Sequence, residues 1–90
     1  MTDDQWRSSL EDLKRERDNL DANTPARRAV EQLIKDVELH LAASDEAAHP
    51  ARERALGQRF SAAVERFEAS HPKLTLRLNE IMTQLSGTGV

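Results

Sequence analysis

Cysteine is absent from the 90 residues, which removes disulfides, thiolate catalysis and cysteine-type zinc sites together. Tyrosine is absent too, and one tryptophan and two phenylalanines complete the aromatic set. With three glycines in all, no glycine-rich phosphate loop, nucleophile elbow or metal triad is present. No run approaches the ~18 consecutive apolar residues of a membrane span. The start, Met1-Thr2-Asp3-Asp4, is acidic and lacks the apolar core of a signal peptide. A soluble cytoplasmic protein with no membrane partner is therefore expected. A strong net charge is missing as well: the formal charge is -3 and the pI about 5.6. That supplies no overall field to draw nucleic acid or an anionic membrane.

What is present is 38% hydrophobic and 32% charged, the balance of an ordered, surface-rich helical protein rather than a disordered chain. The length fits a single helical domain, 1–90. A scaffold this small without disulfides often gains stability by associating, which points to a homodimer.

Thr2-Asp3-Asp4-Gln5 has capping-box spacing, and a first helix is expected over about 3–20. Trp6, Leu10, Leu13 and Leu20 fall on one narrow stripe, with Arg17 where a fifth apolar residue would stand. The spacing resembles a helix-pairing seam more than a broad core face. Asp21-Ala22-Asn23 is a short polar link, Thr24 an N-cap, and Pro25 sits at the first helical position. A second helix over 25–43 carries the strongest stripe, Val30, Leu33, Ile34, Val37 and Leu41. The short link makes these helices an antiparallel hairpin. Residues 44–50 read as a loop, and Pro50 can open a third helix over 51–70 with Leu56, Phe60, Ala63, Val64 and Phe67 inward. Gly57 weakens that helix and leaves room for a close backbone approach. A fourth segment over 73–86 places Leu74, Leu78, Ile81, Met82 and Leu85 on one side, with Gly87 as its cap.

Ser70, His71 and Pro72 form the corner on which the last third turns. Phe60, Phe67, Leu74 and Ile81 keep a seven-residue phase across it, as do Val64, His71, Leu78 and Leu85, which favours one kinked helix. Pro72 lacks the N–H and pushes His71 out of helical geometry, which favours a break. The expected fold is all-α: a small helical bundle of three to four helices, with an N-terminal antiparallel hairpin and a C-terminal helix kinked or broken at Pro72.

The string Phe67-Glu68-Ala69-Ser70-His71-Pro72-Lys73-Leu74-Thr75 resembles a bacterial family of short proteins classed as a domain of unknown function. Its F-E-A-S-H-P-x-L-T pattern is the most specific part, and the resemblance covers most of the chain. It implies a bacterial, soluble, helical protein and brings no catalytic residues.

Several clusters are weighed for chemistry. Glu68-x-x-His71 has the spacing of one arm of a di-iron bundle site, which needs two such motifs and two further carboxylates. Asp36 and His40 are an i,i+4 pair at the edge of the second stripe, suited to a pH-sensitive contact or proton transfer. Arg27, Arg28, Arg52, Arg54, Arg59 and Arg66 could form a basic face, but Glu31, Glu53, Glu65 and Glu68 interleave with them. Leu39 and Leu76 lie off their stripes and suggest a second contact surface. The function expected is a non-catalytic protein-interaction module, self-associating through Trp6, Leu10, Leu13 and Leu20, with no cofactor and no metal. The alternatives are a small nucleic-acid or regulator-binding domain and a metal-binding helical protein.

Overall fold

The computed structural model describes residues 3–42 and 50–87. They form four helices, α1 (Asp3–Asp18), α2 (Pro25–Ala42), α3 (Pro50–Phe67) and α4 (Pro72–Gly87), with no strand among the described residues. The all-α class expected from the periodicity is the one adopted. The chain divides into two compact units, one carrying α1 and α2 and the other α3 and α4. Within them α1 packs on α2 and α3 on α4. Thr2, the loop at 44–49 and the tail at 88–90 lie outside the described residues, as do the side chains of Arg52 and Leu85.

The first hairpin is set by its link. α1 closes with the Asn19 N–H on the carbonyls of Arg15 and Glu16, both at 3.2 Å, and the Leu20 N–H on Arg17 at 3.1 Å. Asn23 then takes φ 67°, a left-handed conformation that asparagine tolerates better than most residues. Thr24 Oγ1 accepts the Arg27 N–H at 3.2 Å and donates to the Asp21 carbonyl at 2.8 Å. It is an N-cap with Pro25 at the first helical position, where no N–H is needed. Arg27 Nη1 donates to the Leu20 carbonyl at 3.1 Å and ties the link to α2.

α2 buries Ala26, Val30, Leu33, Ile34 and Val37. α1 meets them with Trp6, Ser9 and Leu13, while Leu10 and Leu20 are half-buried. At 100° per residue, Ser9 and Leu13 place the inward face to one side of the line through Leu10 and Arg17. Ser9 is buried on that face between the two bulky residues Trp6 and Leu13. This accounts for Arg17 in the apparent stripe: that position lies at the rim.

In the second hairpin the chain breaks at the corner. α3 ends at Phe67, residues 68–71 turn, and α4 starts at Pro72. The Glu68 N–H still bonds Val64 at 2.8 Å, and the N–H groups of Ser70 and His71 both fold back on the Phe67 carbonyl, at 3.2 and 2.7 Å. The His71 carbonyl accepts the first bond of α4 from the Thr75 N–H at 3.1 Å. Leu56, Phe60, Ala63, Val64 and Phe67 are buried on α3, and Leu74, Leu78 and Ile81 on α4. The seven-residue phase survives the break because each arm carries its own stripe and turns it toward the other.

Gly57 lies mid-α3, and a Cβ built there meets nothing within 4 Å. Among the described residues, the close backbone approach that the glycine would permit is not made.

Candidate functional site

α1 and α2 position a set of charged surface groups. A shallow groove of about 470 Å³ runs along them, lined by Lys14, Arg17, Glu31, Ile34, Lys35 and Glu38. Ile34 forms its apolar floor, and three cations and two carboxylates line its walls. Lys14 Nζ approaches Glu38 Oε2 at 3.9 Å from helix to helix, and Arg27 Nε approaches Glu31 Oε2 at 3.7 Å along α2. Both are exposed pairs, worth a fraction of a kcal/mol each. Arg17 Nε is engaged by its neighbour Asp18 at 3.2 Å. Leu39, on α2 but outside the groove lining, stands 69% exposed.

Deeper in the same hairpin lie Trp6, Asp36 and His40. Trp6 is fully buried, and its ring centroid sits 5.0 Å from that of His40 at 57°. Asp36 is buried and accepts a bond from Gln32 Nε2 at 3.2 Å. The i,i+4 pair noted in the sequence is therefore turned toward α1. Of the four stripe residues expected to form a seam, Trp6 and Leu13 are interior to the hairpin, and Leu10 and Leu20 sit at its edge.

The corner residues come together locally. Ser70 Oγ and His71 Nδ1 are 2.9 Å apart, the His71 ring meets Phe67 edge-on at 5.9 Å, and the Arg66 guanidinium lies 5.1 Å over the Phe67 ring. Thr75 Oγ1 donates to the Pro72 carbonyl at 3.1 Å. These contacts seal a turn. Glu68 is exposed, and among the described residues no group of three or more His, Asp or Glu side chains could hold a metal ion.

The arginines considered as a basic face are put to other uses in part. Arg27 and Arg28 donate to the carbonyls of Leu20 and Asn23, both at 3.1 Å, and Arg66 covers Phe67. Arg54 and Arg59 are exposed. Leu76 stands 63% exposed on α4, near the Arg77–Glu80 pair at 3.0 Å.

Spacing alone missed Ser9 and Thr75 as buried residues; a small residue three positions after Trp6 was the available signal for the first. It also missed the groove, which depends on how α1 and α2 are rotated. No helix among the described residues is long and apolar enough to cross a membrane. No curated protein matches the chain, and no solved structure does. A family model described as a domain of unknown function, DUF4404, matches residues 6–90, and the chain belongs to that family.

Proposed function

We propose that this chain is a non-catalytic protein-interaction module that associates with itself. The observation that carries this reading is the pair of leucines held in solvent, Leu39 and Leu76, the two large apolar side chains that stand exposed among the described residues. Covering such a side chain is worth roughly 1.5–3 kcal/mol, so each marks a place where a partner gains by docking. The charged groove along α1 and α2 strengthens the case on α2. The setting we infer is the bacterial cytoplasm, on the strength of the Phe67–Thr75 string.

Sedimentation equilibrium at micromolar concentration tests this. Self-association of the wild-type chain is expected, with a weaker constant in Leu39→Asp or Leu76→Asp while far-UV circular dichroism stays unchanged. A clean monomer across the concentration range refutes it.

A further inference from the structure

We infer that the contact is an antiparallel pairing of α2 with α2 of a second copy, a surface that deepens the self-association reading and rests on it. The exposed positions Arg28, Glu31, Lys35, Glu38 and Ala42 recur at 3-4-3-4 spacing along α2. At 100° per residue they form one strip down the helix. Their charges read plus, minus, plus, minus, then a small apolar residue.

That order has a symmetry consequence. When two such helices pair antiparallel about a two-fold axis between Glu31 and Lys35, Glu31 faces Lys35 of the second copy and Arg28 faces its Glu38. The two-fold repeats both pairs, so four opposite-sign contacts form from one surface. Such a contact is isologous and closes as a dimer. A parallel pairing in register would set every charge against itself, which is repulsive. In the antiparallel register Leu39 comes to lie along the Arg28 side chain of the second copy, whose methylene stem can cover it, while its head, on the Asn23 carbonyl at 3.1 Å in its own chain, turns to Glu38. Lys35 is exposed, while Arg28, Glu31 and Glu38 hold contacts with Asn23, Arg27 and Lys14 in their own chain that the pairing would have to share.

The contact is rich in exposed ion pairs, so it is weak and salt-sensitive. The test uses the whole chain in four forms: wild type, Glu31→Lys, Lys35→Glu and the double variant. Each single change turns two attractive contacts into two repulsive ones. About a ten-fold or greater loss of association is expected for each alone. An equimolar mixture of the two single variants is expected to associate again, because one copy then presents two lysines and the other two glutamates. The double variant is expected to recover wild-type association. Far-UV circular dichroism confirms that all four forms fold. If the wild type associates but the single variants match it, or the mixture fails to recover, the α2 face is refuted and self-association stands. If the wild type is a monomer at low salt, both fall.

Discussion

Gly57→Ala should stabilise the protein, and the amount can be worked from the structure. The position is the eighth of the eighteen in α3, well inside the helix, where glycine costs about 1 kcal/mol relative to alanine. That cost is conformational: the unfolded chain loses more freedom at glycine than at alanine. A gain is cancelled when the new methyl group meets packed atoms, but at Gly57 it meets nothing within 4 Å. With no clash to subtract and little apolar surface to bury, the change should add close to the full propensity difference, about 0.8–1 kcal/mol. In a domain of this size 1 kcal/mol moves Tm by roughly 4–8 °C. In urea the midpoint should rise by roughly 0.3–1 M at unchanged slope. Thermal and urea unfolding followed by far-UV circular dichroism would measure both. Gln58→Ala, at the exposed neighbouring position, is the control and should move stability by under about 0.5 kcal/mol. A Gly57→Ala protein no more stable than wild type would refute the open surroundings assigned to this turn. A loss of self-association in the same variant would place a docked backbone against it.

Thr24→Ala removes the oxygen that receives the Arg27 N–H and holds Asp21, and should cost about 0.5–2 kcal/mol in urea unfolding; no change would mean the cap is replaced by water. Phe60→Ala empties a fully buried position on α3 and should cost about 3–5 kcal/mol, read as a large drop in Tm. Pro72→Ala should leave the corner standing, with helix content and sedimentation coefficient unchanged. The new N–H offers at most one hydrogen bond, about 1 kcal/mol, whereas Leu74, Leu78 and Ile81 are buried at roughly 1.5–3 kcal/mol each. A more extended particle with more helix would show that proline alone holds the break.

The fold class was legible because burial here follows helical spacing closely. Val30, Leu33, Ile34 and Val37 are inside, as are Phe60, Val64, Phe67, Leu74, Leu78 and Ile81. The Thr24-Pro25 start was legible for a different reason, since cap and proline chemistry is local. Two features were not. The seven-residue phase across Pro72 is equally compatible with a kinked helix and with two helices facing each other. Periodicity carries no information on the direction of the chain between stripes. The inward face of α1 was also misjudged by a few tens of degrees, because a count of large apolar residues gives Ser9 no weight. A small residue flanked by bulky ones is buried by its neighbours' bulk rather than by its own affinity for the interior.

The same limit explains why the surface of α2 was harder to see than its core. Arg28, Glu31, Lys35 and Glu38 taken one at a time are the ordinary charges of a solvated face, and ion pairs such as Lys14–Glu38 at 3.9 Å contribute little to stability. Specificity, however, is a difference between arrangements, and it can reside in a pattern whose members are individually weak. A strip that reads plus, minus, plus, minus is neutral in sum and repulsive toward a parallel copy, yet complementary to itself reversed. Leu39 stands 69% exposed at its margin and would supply, in the proposed pairing, the apolar contact that a purely charged strip lacks. In the proposed pairing, charge order would set the direction and leucine burial would supply part of the strength, so reversing Glu31 or Lys35 alone should weaken association about ten-fold or more, and reversing both together should restore it.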